Sequence, residues 1–335
     1  MKLIQFYQPG LGKRVGIVTR GDLATDIASD GDRGLMTRRL EPDEVIIDVT
    51  SDEAPDVLEL IKLSYKEGVS MGVLLADIQD HFASGSTEAV LPNQASRDKD
   101  SLKLSDLNTT PDLNVPHLLL PIDPPEVWGC GVTYQRSAEM RDDDSEQDIY
   151  SRVYHSNRPE IFFKGTKSRC AGPNDYIGIR SDSKLTATEP ELAYILGADG
   201  EIVGYTICND VSAWDIEREN PLYLPPSKVF YGCCALGPMF VTPSEIDDPY
   251  NLNIKCTVIR SGELLYEGDV NTSQIKWKFE ELTEFLCRDN PIPIGTVVST
   301  GTGIIVPNEL PLAPGDVVQI EVDELGVLSN PVKQL

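Results

Sequence analysis

The chain has 335 residues, of which 29 are Lys or Arg and 54 are Asp or Glu, so its formal net charge is −25. This length predicts two domains or one large one, because a single hydrophobic core stops growing at roughly 250–300 residues. A hydrophobic fraction of 40% with 25% charged residues is typical of globular proteins and argues against a disordered chain. The acidic excess argues against binding to nucleic acid or to an anionic membrane surface, so we expect neither partner.

The cysteines and the N-terminal residues indicate the compartment. Seven Cys residues, an odd number with no CxxC pair, predict reduced thiols rather than a disulfide framework. The first six residues form too short an apolar stretch for a signal peptide, and no apolar run approaches the length of a membrane span. We therefore predict a cytoplasmic protein.

The first third of the chain predicts a small α+β domain. Short apolar runs such as residues 15–18, separated by Gly and Asp, predict strands in the first forty residues. Between residues 54 and 82 the apolar positions follow helical spacing, and Gly68 and Gly72 predict a break between two helices. A polar stretch at 84–110 leads to five prolines between 111 and 125, which predict a stiff connection. The predicted division is a structural or assembly domain at 1–122 and a second domain at 123–335.

The second part of the chain predicts mainly strands. Apolar runs at 192–197 and 201–207 flank Asp199-Gly200, a dipeptide that favours a tight turn between antiparallel strands. Further strands are predicted at 253–259, 297–299 and 317–322, and a helix at 279–286. This irregular order differs from the βαβα alternation of a doubly wound sheet, so the predicted fold class is α+β and mainly β.

Two glutamates and one aspartate carry the clearest chemical signal. Glu189 and Glu191 are two positions apart at the start of a predicted strand, so their side chains point to the same face. Asp210 follows the next strand of the same hairpin, which brings it back toward them. Three converging carboxylates repel one another unless one is protonated or a cation binds, and oxygen ligands suit Mg²⁺, with Mn²⁺ or Ca²⁺ as alternatives. The other interpretation is a solvated sheet face that carries unconnected acidic groups.

These residues occur in motifs that resemble those of the fumarylacetoacetate hydrolase superfamily, in the same order along the chain. The motifs are Glu189-Pro190-Glu191-Leu192-Ala193, Gly204-Tyr205-Thr206-Ile207-Cys208-Asn209-Asp210-Val211-Ser212-Ala213, Lys228 and Thr300-Gly301-Thr302. The resemblance runs from about residue 128 to the C-terminus. It implies a C-terminal mixed β-sandwich roll, one divalent cation per subunit held by Glu189, Glu191 and Asp210, and assembly as a homodimer or homotetramer.

The chain departs from the usual motifs of this superfamily at two informative positions. Its hydrolases and decarboxylases carry a proton-transferring His where this chain has Ser137, and usually an Arg where this chain has Trp214. In contrast, segments 128–131, 158–164 and 228–238 resemble the branch that dehydrates 2-keto-3-deoxy-arabinonate or -xylonate to 2-oxoglutarate semialdehyde. That resemblance implies catalytic roles for Glu160 and Lys228.

Dehydration of a 2-oxo acid places definite demands on the site. The carboxylate and keto oxygens of the substrate can share one cation, which stabilises the enolate formed when a C3 proton leaves. Lys228 could be the base if burial lowers its pKa, or Glu160 if burial raises its pKa, and the other group would protonate the departing C4 hydroxyl. The predicted substrate-binding residues are Tyr134, Arg136, Ser137, Lys164 and Thr302. The alternative roles for these residues are packing, surface ion pairs or turn formation.

The sequence therefore predicts a metal-dependent lyase that acts on a small 2-oxo acid. The second hypothesis is a hydrolase of acylpyruvates or other 2,4-diketo acids that uses the same cation. The third is a non-catalytic ligand-binding or assembly protein. The missing His favours the lyase over the hydrolase, and the intact set of three carboxylates with Lys228 argues against the third hypothesis.

Overall fold

The computed structural model describes residues 1–20, 44–84, 102–145 and 149–335. The helices are α1 (Val57–Lys66), α2 (Met71–Ser84), α3 (Gln135–Ser145), α4 (Ile149–Tyr154), α5 (Trp214–Glu219), α6 (Leu224–Lys228) and α7 (Phe279–Cys287). The strands are β1 (Lys2–Gln8), β2 (Gly12–Arg20), β3 (Glu44–Asp48), β4 (His117–Leu118), β5 (Val127–Gly131), β6 (Glu160–Gly165), β7 (Cys170–Ala171), β8 (Ile177–Ile179), β9 (Thr186–Ala187), β10 (Pro190–Leu196), β11 (Ile202–Asp210), β12 (Ser212–Ala213), β13 (Cys234–Val241), β14 (Asn253–Arg260), β15 (Glu263–Asn271), β16 (Val297–Ser299), β17 (Val317–Val322) and β18 (Gly326–Gln334).

Two mixed sheets form the body of the molecule. The larger sheet has the order β3-β2-β1-β13-β11-β10-β16-β5-β6, with β4 beside β1 and β7 beside β13. The smaller sheet has the order β15-β14-β17-β18-β8 and packs through β14, β17 and β18 against the centre of the larger one. Both sheets contain parallel and antiparallel pairs. The predicted fold class, α+β and mainly β with a mixed sandwich roll, is confirmed.

The N-terminal part shares its sheet and its core with the rest of the chain. Strand β1 pairs antiparallel with β13, where Leu3 lies opposite Phe240. One hydrophobic cluster contains Leu3, Leu60 and Leu236. A boundary at residue 122 thus crosses a continuous sheet, and the division into domains stays a prediction. Of the stretches interpreted from the sequence, 21–43 and 85–101 lie outside the described residues.

Local sequence signals explain several elements. Helix α1 begins where the Asp56 carboxylate accepts the Glu59 N–H at 3.0 Å, and the chain leaves the helix through Gly68 at φ +69°. This is the predicted break before α2, but Gly72, which was expected to contribute to it, is the second residue of α2. The helix expected at 279–286 is α7, one residue longer. Within the described ranges, no helix combines the length and the hydropathy that crossing a bilayer requires.

Candidate metal centre and active site

The hairpin of β10 and β11 brings the three predicted carboxylates together. Glu189 lies immediately before β10, Glu191 lies within it, and Asp210 ends β11. The Asp210 N–H donates to the Glu189 carbonyl at 2.9 Å, which closes the open end of the hairpin. The turn at the other end carries positive φ at Asp199 and Gly200, as a tight hairpin turn requires. One oxygen from each carboxylate lies within 4.8 Å of the others, and all three residues are at most 3% exposed.

Three donors converge on one oxygen of Glu189. Its Oε1 accepts the Trp214 indole N–H at 2.7 Å and the Lys228 ammonium at 3.0 Å, and it lies 3.1 Å from Arg141 Nη2. Burial alone would raise the pKa of Glu189, but the charges of Lys228 and Arg141 hold that pKa well below its usual range. Glu189 is therefore ionised at neutral pH.

The pKa of Glu191 is shifted in the opposite direction from that of Glu189. Its Oε2 accepts the Ser299 hydroxyl and the Gly301 N–H, the latter at 2.7 Å. Burial, reinforced by the negative charges of Asp210 and Glu189, raises the pKa of Glu191 to about 8. A proton on Glu191 relieves the repulsion among the three carboxylates. A divalent cation would relieve it more fully, so these buried oxygen donors fit Mg²⁺ or a similar hard cation.

Two buried lysines flank Asp210 on its two oxygens. The Lys164 ammonium forms an ion pair with Oδ1 and also donates to the Val211 carbonyl at 2.9 Å. The Lys228 ammonium lies 3.2 Å from Oδ2 and donates to the Ser212 hydroxyl at 2.6 Å. Burial would lower the pKa of Lys228, but the nearby carboxylates outweigh it and raise that pKa. Lys228 is thus held as an ammonium, which suits a proton or hydrogen-bond donor rather than a base.

A polar cavity adjoins this centre. It contains four acidic, two basic and two hydroxyl-bearing side chains, and none of its lining residues in the described ranges is a histidine. Its lining residues are Glu160, Glu189, Asp210, Glu217, Arg141, Lys228, Ser137, Thr302, Cys130, Gly131, Val132, Phe162 and Leu224.

Glu160 enters the cavity from the start of β6, opposite Gly131 of β5. A Cβ added to Gly131 would lie 2.1 Å from Glu160 Oε2, so a larger residue here would displace the carboxyl group from this position. Burial first, and then the negative charge of Glu217, raises the pKa of Glu160. A carboxylate with a raised pKa meets the condition that a base near neutral pH must satisfy.

The other predicted substrate-binding residues divide into two groups. Ser137 and Thr302 line the cavity, whereas Lys164 is fully buried beneath Asp210 and does not line it. Tyr134 is 1% exposed, and its hydroxyl has no hydrogen-bond partner within the described part of the chain. Arg136 is exposed and lies outside the cavity lining. These assignments stay predictions.

Two cavity residues escaped the sequence analysis. Arg141, one and a half helical turns after Arg136 on α3, joins Glu189 to Glu217, with its Nη1 3.1 Å from Glu217 Oε1. Glu217 lies on α5, and no local motif marks it. The only sequence feature that could have identified them is their proximity to recognised motifs. Arg141 lies in the segment after the Tyr134 motif, and Glu217 is three residues after Trp214. Only tertiary packing shows that both enter the site.

The fold and the site define a class of protein: one with buried carboxylate oxygens that suit a divalent cation, beside a small polar cavity. The particular family follows from comparison with known proteins. The family model "Fumarylacetoacetate (FAA) hydrolase C-terminal" matches residues 126–333, and the chain belongs to this family.

Within this family, the chain is similar to several individual proteins. The chain is 48% identical over 219 residues to 2-dehydro-3-deoxy-D-arabinonate dehydratase of Saccharolobus solfataricus, a match that covers 64% of this chain and 74% of the relative. It is 45% identical over 217 residues to a probable 2-keto-3-deoxyxylonate dehydratase of Haloferax volcanii, covering 64% and 75%. A solved structure of 2-keto-3-deoxy-D-arabinonate dehydratase, complexed with magnesium and 2,5-dioxopentanoate, matches with a TM-score of 0.74 and 36% identity over 100% of this chain and 99% of the other.

Proposed function

We propose that this chain is a hydro-lyase that removes water from a 2-keto-3-deoxy-pentonate and forms 2,5-dioxopentanoate, which is 2-oxoglutarate semialdehyde. One observation carries the proposal: a single cavity joins Glu189 and Asp210 to Glu160 and Lys228. The two dehydratase relatives and the structure with bound dioxopentanoate support the same reaction. The hydrolase hypothesis loses support because Ser137 lines the cavity where that chemistry needs a proton-transferring group.

The carboxylate triad would hold one Mg²⁺, or Mn²⁺ or Ca²⁺ in its place. A bound cation supplies stabilisation of the negative charge that develops on the keto oxygen. In the proposed reaction Glu160 takes the C3 proton, since its raised pKa makes it a competent base. Lys228, held as an ammonium, donates to the departing C4 hydroxyl.

The remaining predicted residues take supporting roles in this proposal. Ser137 and Thr302 present hydroxyl groups to the substrate, whereas Tyr134 is not among the lining residues of the cavity and its role as a donor stays a prediction. Lys164 acts through Asp210, whose orientation it sets by their ion pair. Arg141 is an additional arginine of the site in this proposal, and the substrate-binding role of Arg136 stays a prediction.

An assay with two substrates tests the proposal. Purified protein with Mg²⁺ should convert 2-keto-3-deoxy-arabinonate or -xylonate to the semialdehyde, detected by NMR, and should leave an acylpyruvate intact. Cleavage of the acylpyruvate without semialdehyde formation would establish the hydrolase instead. Turnover of neither compound would support a non-catalytic protein.

The Glu191→Gln variant tests the metal assignment. The amide cannot become the third negative ligand, so we expect loss of Mg²⁺ binding in calorimetry and loss of turnover, with an unchanged circular dichroism spectrum. Glu201→Gln is the matched control, because Glu201 is exposed at the turn of the same hairpin. Full activity of Glu191→Gln would contradict the assignment of this residue as a ligand.

Assembly and location are also part of the proposal. We infer a homodimer or homotetramer in the cytoplasm, with a small 2-oxo acid as the substrate. All seven cysteines are free thiols, which supports a reducing compartment. Light scattering coupled to size exclusion would distinguish a monomer from these assemblies.

A further inference from the structure

The proposed reaction requires that a proton be removed from a second carbon atom of the substrate, and the roles above assign no residue to that step. Removal of the C3 proton and the C4 hydroxyl gives 5-hydroxy-2-oxopent-3-enoate, which still carries an alcohol at C5. The aldehyde of the product requires that a hydrogen also leave C5. This inference rests on the proposed function, because the need for it arises from that product.

The cavity offers few groups for this step. A 2-oxo acid bound through its C1 and C2 oxygens extends C3, C4 and C5 away from the ligands of the cation. Outside the carboxylate triad, the acidic residues that line the described cavity are Glu160 and Glu217. Glu160 already serves C3 in the proposed reaction, which leaves Glu217 for the distal carbon.

The surroundings of Glu217 are those of a positioned, buried carboxylate. The residue is 7% exposed and lies on α5. Its Oε1 is 3.1 Å from Arg141 Nη1 and accepts the Tyr150 hydroxyl at 3.4 Å, while its Oε2 accepts the Ser227 hydroxyl at 3.3 Å. A carboxylate has about four lone-pair sites, so three donors orient it and leave room for a proton.

Arg141 sets the distance between Glu217 and the metal centre. The same guanidinium lies 3.1 Å from Glu189 and 3.1 Å from Glu217 through its two terminal nitrogens. The two carboxylates are therefore separated by the width of one guanidinium group and its two contacts. Glu217 therefore lines the same cavity as the metal centre but is separated from Glu189 by one guanidinium group, and we assign to it the last carbon of a substrate bound through its C1 and C2 oxygens.

We propose that Glu217 is a second proton-transfer residue, which takes a proton from C5 after the C4 hydroxyl has left. The C5–H electron pair forms the C4=C5 bond, the C3=C4 pair moves to C2=C3, and the keto oxygen takes the negative charge. Glu217 then gives the proton that it holds to C3, which restores the ketone and leaves an enol at C4–C5. Protonation of C4 and loss of the C5 hydroxyl proton then give the aldehyde, with no oxidant or reductant required.

The Glu217→Gln variant tests this role through the fate of the intermediate. We expect the variant to consume 2-keto-3-deoxy-arabinonate but to release the conjugated enone, seen by ultraviolet absorbance and NMR, with aldehyde formation slowed by about 100-fold or more. With substrate deuterated at C5, aldehyde formation by the wild type should show a primary isotope effect. Glu219→Gln is the matched control, because Glu219 is exposed on the same helix and should give the aldehyde at the wild-type rate.

Added enone separates this proposal from the proposed function. Wild type and Glu160→Gln should both convert the synthetic enone to 2,5-dioxopentanoate, whereas Glu217→Gln should not. If Glu217→Gln folds poorly, Glu217→Asp keeps a carboxylate and should restore part of the conversion. Equal slowing of substrate loss and aldehyde formation in Glu217→Gln, with no enone, would overturn the role of Glu217. A wild type that does not consume the sugar acid would instead overturn the proposed function.

Discussion

At the scale of single residues, Trp214 shows how a substitution within a family motif acquires a function. Its side chain is 3% exposed, so packing alone could explain it, yet its indole N–H donates to Glu189 at 2.7 Å. Arg141 and Arg218 lie over its ring. The tryptophan thus orients a predicted ligand through an uncharged donor, and its ring contacts the cavity arginine Arg141.

Replacement of this tryptophan tests its effect on the metal centre. Trp214→Phe keeps the aromatic packing but removes the donor to Glu189, so we expect Mg²⁺ affinity to fall by roughly 10–100-fold, the usual effect of losing such a partner. Calorimetric titration with Mg²⁺ measures the change. Trp277→Phe is the control, because Trp277 packs against Phe285 and does not contact the carboxylates. Equal Mg²⁺ affinity in wild type and Trp214→Phe would show that packing is the only role of this side chain.

The residues that the sequence identified and those that it missed differ in how they reach the site. Glu189, Glu191 and Asp210 are joined by one hairpin, so spacing and the Asp199-Gly200 turn were enough to predict their convergence. Arg141 and Glu217 come from separate helices whose approach depends on tertiary packing. Local patterns carry no information about such pairs, so neither residue was predicted. Arg136, which was predicted, is exposed in the structure, and its role stays a prediction.

At the scale of elements, the pairing of β5 with β6 decides where the proposed base lies. Gly131 of β5 faces Glu160 of β6, and the carboxyl group occupies the space that a side chain on Gly131 would fill. The position of the Glu160 carboxyl group therefore depends on the absence of a Cβ atom at Gly131. Neither strand was predicted from the sequence, and no sequence pattern reveals which glycine leaves space for a neighbouring side chain.

Gly131→Ala tests this arrangement. The new methyl group would overlap Glu160 Oε2, and the flexible carboxyl end can move away, so we expect a folded protein whose kcat falls by at least about tenfold as the base is displaced. Steady-state kinetics and thermal unfolding measure the two effects. Gly72→Ala on α2 is the matched control: its methyl group would meet only Ser70 Oγ at 3.9 Å, so activity should be unchanged. Wild-type kcat in Gly131→Ala would rule out a requirement for this position of Glu160.

At the scale of the whole molecule, the sequence predicted which secondary structure each of the two parts contains, but it did not predict how the two parts are joined. The helices of the first part and the strands of the second follow from periodicity and turns. The pairing of β1 with β13 places Leu3 opposite Phe240, which is more than 230 positions away in the chain. Strand pairing over such a separation leaves no local pattern in the sequence. Strand β1 therefore belongs to the larger sheet rather than to a separate one.

This pairing leads to a prediction about the chain cut at residue 122. Removal of residues 1–122 would leave the end of β13 without β1 and would expose Phe240 and Val241, which are fully buried in the intact chain. It would also remove Lys13, whose ammonium lies 2.7 Å from Asp123. An unpaired apolar strand edge favours aggregation, so we expect the 123–335 fragment to lack a cooperative thermal transition and dehydratase activity. Co-expression with the 1–122 fragment is the control, and it should restore both properties if the cut itself is tolerated. A 123–335 fragment that unfolds cooperatively and turns over substrate alone would instead establish two independent domains, with the first needed only for assembly.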